Sequence, residues 1–332
     1  MKKLIIPFAL VANFLLVGCG GGSSYSYGDD DLPTPTAELK QKQTTSVLDK
    51  IVKTKLDPLA FAIDFYEGSN RVIEVPSNSK RLTGQYSAKE NRENSCQFGG
   101  SIEEVVISGK SEDEDNESTS GSKKYKLIYK DCEVLPKVTL NGTVNSYETW
   151  KREDENIISY TGSYSSENFV YQKDENHKIV IRYTQENKGK YCESYGKSNV
   201  ACYEEGTSVY KFNGNMVENN ETLEFKNIKR EKEFRINHEE PYEYYQSFKL
   251  SGAIKSLELG GWIVIETPTK FEMNEKDEIE DKNYCWHKGK LVVRGAKHTL
   301  TQEVYSNHSI VQKFDNKVVK KYTNCKEYWG EE

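Results

Sequence analysis

The sequence predicts a mainly β protein, built as a large curled antiparallel sheet that forms a half-barrel or a sandwich and follows a short N-terminal helical segment. Two observations predict this class. Beyond Gly68, apolar and polar residues alternate over many segments that are rich in β-branched and aromatic residues. Glycine also recurs inside several of these segments, which is typical of strands that bend.

The predicted helical segment covers residues 37–68. Apolar residues recur at steps of three and four between Leu39 and Ile63, as on one face of an amphipathic helix. Asp57 and Pro58 divide the segment, because Asp is a good N-cap and Pro fits the first turn of a helix. We expect two short helices whose apolar stripe covers one face or one opening of the sheet, in preference to a stripe that binds a partner.

The predicted β domain covers residues 69–332. Its clearest strands are Lys178–Tyr183, Ser208–Phe212, Trp262–Ile265 and Lys290–Arg294. A weak motif also recurs, consisting of an apolar residue, a small polar residue, Gly, any residue and a second apolar or aromatic residue. The motif begins at Leu82, Leu140, Phe212 and Leu250. Because Gly inside a strand marks a bulge or a sharp bend, we expect the sheet to curl at these places.

The first residues predict export. Lys2 and Lys3 give a basic start, and residues 4–17 form an almost unbroken apolar run. This order is typical of a secretory signal peptide. The run is shorter than the about 20 residues that a membrane-spanning helix needs. We therefore predict that residues 1–18 are a signal peptide that is removed.

The end of this segment resembles the lipobox of bacterial lipoproteins, because Leu16-Val17-Gly18-Cys19 matches their Leu-x-Gly-Cys signature. The resemblance implies that Cys19 is acylated and becomes the first residue of the mature chain. Two or three acyl chains hold a protein stably on a membrane, whereas one chain binds only weakly. Gly20, where some lipoproteins have Asp, implies an outer-membrane location, with the inner membrane as the alternative. The anchored body then faces either the periplasm or the outside of the cell.

Residues 19–36 predict a flexible linker after the anchor. They are rich in Gly, Ser, Asp, Pro and Thr and contain no apolar pattern. A random coil of this length spans roughly 20–25 Å, which is enough to clear the lipid head groups.

Charge and motifs exclude several classes of function. The chain has 46 Lys plus Arg against 52 Asp plus Glu, a net charge of −6, which is not the charge of an electrostatic nucleic-acid binder. The sequence contains no complete phosphate-binding loop, no Gly-x-Ser-x-Gly turn and no His-Glu-x-x-His motif. We therefore predict a protein that is not an enzyme and that uses no cofactor and no metal.

Six cysteines remain besides Cys19, an even number that suits an oxidising compartment. Six cysteines can pair in fifteen ways. They fall into three consecutive couples, and we predict the disulfides Cys96–Cys132, Cys192–Cys202 and Cys285–Cys325. A redox or zinc site is disfavoured, because no Cys-x-x-Cys occurs and no His stands at ligand spacing.

The region after the helical segment resembles a set of uncharacterised bacterial lipoproteins and secreted proteins. The resemblance rests on Cys96-Gln97-Phe98-Gly99-Gly100-Ser101, on Asp131-Cys132 and on Leu140-Asn141-Gly142. It implies a β-rich body and assigns no chemistry. The final cysteine couple looks like a degenerate copy of the same disulfide-closed hairpin.

Two asparagines match the extended bacterial N-glycosylation sequon, in which an acidic residue stands two before the Asn and a hydroxyl residue two after it. These candidate glycosylation sites are Asn116 and Asn220, whereas Asn141 and Asn307 carry only the short form. The acidic run at residues 112–117 lacks the alternate ligands of a calcium loop, so we interpret it as the solvated tip of a hairpin.

For function, we expect non-catalytic binding or an envelope-structural role at the outer membrane, with adhesion to a protein or a glycan as the leading form. The 22 tyrosines are densest at residues 160–164 and 242–245. Such rings could contact a sugar or a protein partner, although tyrosines more often fill a half-wet strand surface. The alternative is a periplasmic lipid-binding or envelope-assembly lipoprotein, which an enclosed apolar cavity would favour. An envelope hydrolase is the least favoured hypothesis.

Overall fold

The structure is a computed structural model of the chain. It describes residues 32–54, 96, 98–114, 117–135, 137–153, 157–192, 203–218, 221–237, 243–274, 278–279, 283–284 and 286–329. The predicted signal peptide, Cys19 and the predicted helix boundary at Asp57 and Pro58 lie outside the described residues. Cys202, Cys285, Asn116 and Asn220 also lie outside them.

The fold is mainly β, as predicted, and thirteen antiparallel strands of the described chain form one open sheet. The strands are β1 (Gly99–Glu114), β2 (Glu117–Leu135), β3 (Val138–Arg152), β4 (Ile157–Asp174), β5 (His177–Cys192), β6 (Tyr203–Glu218), β7 (Glu221–Asn237), β8 (Glu243–Ser256), β9 (Gly261–Asn274), β12 (Lys288–Arg294), β13 (Thr299–Val304), β14 (Ile310–Phe314) and β15 (Lys317–Tyr322). Strands β10 (Glu278–Ile279) and β11 (Asn283–Tyr284) pair separately. Each strand of the large sheet pairs with the next one along it, so the four clearest predicted strands are confirmed within a simple meander.

Two helices flank the sheet in the described chain. A 3₁₀ turn (Gln41–Gln43) leads into α1 (Thr44–Thr54), and α2 (Cys325–Trp329) follows the last strand. Helix α1 packs on β13, β14 and β15. Its buried residues Leu48 and Ile51 join the core of the sheet, which confirms that the apolar stripe covers the sheet. No helix among the described residues has the length and apolar character to cross a membrane.

The chain before α1 is extended, whereas helix was predicted from residue 37. The N–H groups of Thr36 and Ala37 both donate to the carbonyl oxygen of Trp262, at 2.9 and 3.0 Å, and the N–H of Ala296 donates to the carbonyl of Ala37 at 2.8 Å. These bonds hold the segment at the start of β9 and the end of β12. A backbone that pairs with two strands in this way cannot also begin a helix.

The glycine motif coincides with bulges, as predicted. Pairing registers shift at three of its four copies, between Asn141 and Asn145, between Phe212 and Gly214, and between Phe248 and Ser251. The copy that begins at Leu82 lies outside the described residues. Each bulge adds twist and bends its strand.

An equivalent side-chain hydrogen bond is present at two of these bulges. The side-chain oxygen of Asn141 accepts from the N–H of Asp131 at 2.8 Å, and that of Asn213 accepts from the N–H of Asn227 at 2.6 Å. Asp131 and Asn227 have φ angles of 47° and 50°, a left-handed conformation that short polar residues tolerate. The Asn of the motif therefore stabilises the irregular residue on the neighbouring strand.

The core lies on the face of the sheet that α1 covers, which we call the inner face. Ile181, Phe212, Leu250, Ile265 and Leu300 are at most 1% exposed there and belong to one continuous apolar cluster. The opposite face, the outer face, carries most of the ion pairs. This arrangement explains the alternating pattern of the strands, because successive side chains point to opposite faces.

The disulfide between Cys96 and Cys132 is present, as predicted, and it closes a sequence separation of 36 residues. Cys325 is also disulfide-bonded, and its predicted partner Cys285 lies outside the described residues. The structure does not describe the side chain of Cys192 either, so the Cys192–Cys202 disulfide stays a prediction.

The sheet has two ends along its strands. At the tether end, residues 36–37 join the starts of β9 and the turn after β12. At the far end, Phe234 of β7 lies opposite Gln246 of β8. Along β8, residues 246–256 run from the far end to the tether end. They span about 34 Å at 3.4 Å per residue. The N-terminal segment therefore enters the body at the end opposite to the one described next.

Candidate functional site

A pocket of about 650 Å³, which we call the groove, crosses β3 to β7 at the far end. It is lined by three rows of cross-strand neighbours, two whose side chains are on the outer face and one, between them, on the inner face. The first row is Lys151, Ser159, Lys190, Glu205 and Arg235, and the second row is Thr149, Thr161, Lys188, Thr207 and Glu233. The regular registers of these strands keep each row in line, because residues directly opposite each other share a face.

Two cations of the groove are paired with carboxylates. Lys190 Nζ lies 3.0 Å from Glu153 Oε2, and this partner raises the pKa of Lys190. A hydrogen bond from Ser159, together with Lys190, lowers the pKa of Glu153. Arg235 pairs with Glu233. Burial opposes ionisation of Glu233, but its bonds to Lys270 and Arg235 hold its pKa below the usual range.

The other two cations, Lys151 and Lys188, are exposed and make no ion pair with any described residue. The groove and the partner of its Lys190 thus bring together four cations and the three carboxylates of Glu153, Glu205 and Glu233. This local excess of positive charge contrasts with the net charge of −6 of the whole chain. The charge of Lys151 nevertheless contributes to the lowered pKa of Glu153.

Tyrosine side chains bound the groove on the same face. Tyr147, 49% exposed, stands two residues before Thr149 on β3. Tyr245 of β8 lies opposite Arg235, whose guanidinium is 5.4 Å from the ring centroid. The hydroxyl of Tyr245 accepts a hydrogen bond from Lys270 at 2.7 Å. An aromatic ring with a polar edge therefore lies beside the second row on β3 and at the β8 end of the first row.

The third row of the lining consists of rings and glycines on the inner face. A Cβ at Gly206 would lie 2.5 Å from the ring of Phe234, and a Cβ at Gly121 would lie 2.2 Å from the ring of Trp150. These glycines therefore leave the space in which the rings lie against the sheet, an arrangement that stabilises strands containing glycine.

A buried carboxylate organises the inner face beside this row. Glu148, 2% exposed, accepts hydrogen bonds from the hydroxyls of Tyr125 and Tyr164, and the hydroxyls of Tyr160 and Tyr164 also bond each other. Burial, followed by the charge of Glu148, raises the pKa of Tyr160. Burial, followed by Tyr160 and Glu148, raises the pKa of Tyr164. The hydroxyls stay protonated, and their hydrogen bonds fix Tyr160 in the lining of the groove.

The structure separates the residues that the tyrosine pattern grouped. Tyr160 and Tyr164 point to the inner face, where their hydroxyls bond each other and Tyr164 donates to Glu148. Tyr245 is at the groove, whereas Tyr242 lies outside the described residues. Cys96 and Cys132 lie toward the tether end, away from the groove.

Sequence reasoning did not find the groove. Its signal is the pair of segments Lys188-Gly189-Lys190 and Glu205-Gly206-Thr207, in which polar residues flank a glycine on two strands that turn out to be neighbours. The pattern can be recognised only once the register aligns the two glycines, which the sequence does not specify.

Among the described residues, no group of three or more His, Cys, Asp or Glu side chains is placed to hold a metal ion. Comparison with protein-family models, with curated proteins and with solved structures found no match. The functional argument therefore depends on the groove itself.

Proposed function

We propose that the chain is a lipid-anchored, non-catalytic binding protein of the outer membrane, and that the groove binds an extended ligand from outside the lipid surface. One observation carries the proposal. The groove lies at the far end of the sheet, whereas the segment that leads back to Cys19 enters at the tether end.

This separation suits a protein that presents its ligand site away from a membrane. An acyl group on Cys19 would hold the tether end near the lipid, and the linker adds roughly 20–25 Å of reach. The groove lies about 34 Å further along the strands. A large ligand could therefore reach the groove without meeting the head groups.

The character of the groove favours binding over the alternative functions. Two of its three rows are charged or carry hydroxyl groups, and the third contains the rings of Trp150, Tyr160 and Phe234, whereas a carrier of acyl chains needs a more uniformly apolar cavity. Away from the groove, the inner face carries one continuous cluster of buried apolar side chains, and Trp150, Tyr160 and Phe234 are not part of it. The groove contains no His and no Cys among its lining residues, which disfavours the usual general bases and thiol nucleophiles of a hydrolase.

Filling the groove tests the binding function. Thr161→Trp places a large ring in the second row, and Thr184→Trp, on the same face but outside the groove, is the matched control. The full-length protein should bind members of an array of immobilised glycans and extracellular proteins. We expect Thr161→Trp to lose about tenfold or more in affinity, as when a central contact residue is blocked, and Thr184→Trp to bind like the wild type. Full binding by Thr161→Trp would contradict the proposal.

The anchor needs a separate test. Mass spectrometry of the N-terminal peptide from the native host should show fatty acid on Cys19, and Cys19→Ser should move the protein from the membrane fraction to the soluble fraction. An unmodified Cys19 behind an intact leader would refute the anchored function even if the groove binds a ligand.

A further inference from the structure

We propose that β1 is a self-association edge, at which β1 of one copy pairs antiparallel with β1 of a second copy around a two-fold axis. This inference is independent of the groove. It depends on the difference between the two edges of the sheet, on the exposed apolar residues of β1 and on the charges that the two-fold pairing brings together.

The two edge strands of the open sheet are protected to different degrees. In the described chain, β1 pairs only with β2 and β15 pairs only with β14. Edge strands expose unpaired backbone N–H and C=O groups, which proteins protect with short strands, lysines or prolines. Strand β15 has six residues, including the exposed lysines Lys317, Lys320 and Lys321. Strand β1 has 16 residues with one lysine and no proline. The edge at β1 is therefore the one that can accept another strand.

Apolar side chains cluster in the middle of this edge. Val105, Val106 and Ile107 are consecutive, and they are 39%, 58% and 49% exposed. Val106 lies opposite Tyr125 and shares the inner face with it, whereas Val105 points to the outer face. A strand added beside β1 would contact apolar residues on both faces of the sheet, which a partner bound to one face could not do.

The charges of β1 fit a second copy of the same strand. A two-fold axis between Val106 and Ile107 sets Glu103 of each copy opposite Lys110 of the other. Opposite charges in this position stabilise a strand pair, and like charges destabilise it. Lys110 is exposed and makes no ion pair with a described residue. Glu103 lies 2.8 Å from Lys130, but both side chains are more than half exposed, so the carboxylate can accept a second cation.

A bulge makes this register consistent on both faces. Residues seven positions apart in a regular strand point to opposite faces, so Glu103 and Lys110 would not meet. The pairing with β2 shifts at Ile107, which adds one residue between them. Glu103 and Lys110 therefore both point to the outer face, opposite Ile128 and Ser122. The register that pairs the charges also lays the two apolar segments side by side, and this self-complementarity favours a second copy over an unrelated strand.

The interface formed by two edge strands is small. A stable protein–protein interface buries about 1,600 Å² in total, more than two single strands provide. We therefore expect a reversible dimer whose population rises with concentration. Sedimentation equilibrium of the full-length protein in density-matched detergent should show a mass that rises from one copy towards two.

Charge reversal tests the register. Lys110→Glu sets carboxylates opposite each other at both ends of the apolar segment, so it should weaken dimerisation about tenfold. The double variant Glu103→Lys/Lys110→Glu exchanges the charges and should restore the wild-type dissociation constant. Lys124→Glu is the matched control, because Lys124 is exposed on the outer face of β2, one strand from the edge. This control should dimerise like the wild type.

A lysine at the centre of the edge tests the strand itself. Val106→Lys introduces the charge with which proteins protect edges, so it should weaken dimerisation at least as strongly as Lys110→Glu. Val318→Lys makes the same change at a valine of β15 that is 60% exposed, and it should leave dimerisation unchanged. Urea unfolding of both variants checks that the fold is intact.

Three results would overturn the proposed dimer. The first is a protein that remains monomeric up to about 1 mM, the weakest dissociation constant that such a measurement covers. The second is a dimer that neither Lys110→Glu nor Val106→Lys weakens. The third is a mass beyond two copies that Val318→Lys abolishes, because pairing of β1 with β15 of the next copy builds open chains. These results leave the binding function untouched, since Thr161→Trp tests that function separately.

Discussion

The carboxy-terminal strands and the long strands that precede them belong to one sheet but differ in length and in the surfaces that they form. Strands β12 to β15 contain 5–7 residues each, close to the usual length of a strand, and α1 covers three of them. Strands β3 to β8 contain 14–18 residues. Both sets of strands contribute to the same core, and the long strands extend beyond it at the far end. That extra length carries the groove.

The two regions also treat buried polar groups differently. In the carboxy-terminal region, Gln302 and Gln312 are fully buried, and the amide of Gln312 donates to Gln302 at 2.9 Å and to Asp49 of α1 at 2.6 Å. Burial raises the pKa of Asp49. This network fixes where α1 sits. In the long strands, the hydroxyls around Glu148 fix rings beneath the groove, so the polar network there supports a surface and not a helix.

The largest effect on stability should come from truncating one leucine in each region to alanine. Leu300 is fully buried in β13, whereas Leu127 of β2 is only partly buried against the core. We expect Leu300→Ala to lower the free energy of unfolding by about 2–5 kcal/mol, because it removes buried methyl groups and leaves a cavity. Leu127→Ala should lower it by about 1 kcal/mol, since part of its surface already contacts water. Urea unfolding of both variants measures the difference, and equal losses would mean that the two regions are equally packed.

A pH effect should mark the carboxy-terminal outer face. Burial opposes ionisation of Glu303, but hydrogen bonds from Lys313, Lys290 and Tyr305 lower its pKa to about 2. Its folded pKa is below the unfolded value of about 4.3, so the stabilisation is present above about pH 5 and is lost as the pH falls towards 2. Glu303→Gln should therefore reduce stability at pH 7 by at most about 3 kcal/mol.

The deficit of Glu303→Gln relative to the wild type should shrink between pH 5 and pH 2, and urea unfolding at pH 7, 4 and 2.5 would follow it. Glu258→Gln, on an exposed turn, controls for the general loss of a negative charge. A deficit for Glu303→Gln that is constant across this range would show that the carboxylate is not stabilised by its neighbours.

A smaller effect should distinguish two glycines of the long strands. Gly142, at a bulge, has a φ angle of +130°, and a Cβ there would lie 2.6 Å from the carbonyl oxygen of Asn168. A Cβ at Gly109 of β1 would meet nothing closer than 3.5 Å. Gly142→Ala should lower stability by about 1–3 kcal/mol, the usual effect of a strained backbone, whereas Gly109→Ala should be neutral or slightly stabilising. If both substitutions are neutral, the bulge does not need its glycine.

The sequence could predict the parts of this fold that depend on local pattern. Alternation predicted strands such as residues 178–183, and glycine within a strand pattern predicted bulges such as the one at Gly142, because both depend on a few adjacent residues. The Cys96–Cys132 disulfide was predicted from the order of the cysteines along the chain. The start of the helix was misplaced, because a backbone pairing between Ala37 and strands more than 200 residues away decides it.

The groove depends on register, which the sequence does not reveal. Lys151, Lys190 and Arg235 are separated by about forty residues at each step along the chain, and only the pairing of five strands places them in one row. The two densest tyrosine groups drew attention to Tyr160, which the alternation of β4 turns to the inner face. An excess of charge at one end of a sheet is likewise invisible in a total composition.

The smallest effect on stability should be found at the two exposed lysines of the groove. Lys151 and Lys188 have no ion pair with a described residue, whereas Lys313 binds Glu303. Lys313→Gln should lower the free energy of unfolding by about 1–2 kcal/mol, because it leaves a partly buried carboxylate with fewer donors. Lys151→Gln and Lys188→Gln should each change it by less than about 0.5 kcal/mol, as surface substitutions do. Chemical unfolding of the three variants makes the measurement. A loss of more than about 1 kcal/mol at Lys151 or Lys188 would assign that residue to the stability of the sheet, whereas unchanged stability would show that these two side chains, unlike Lys313, do not stabilise the fold.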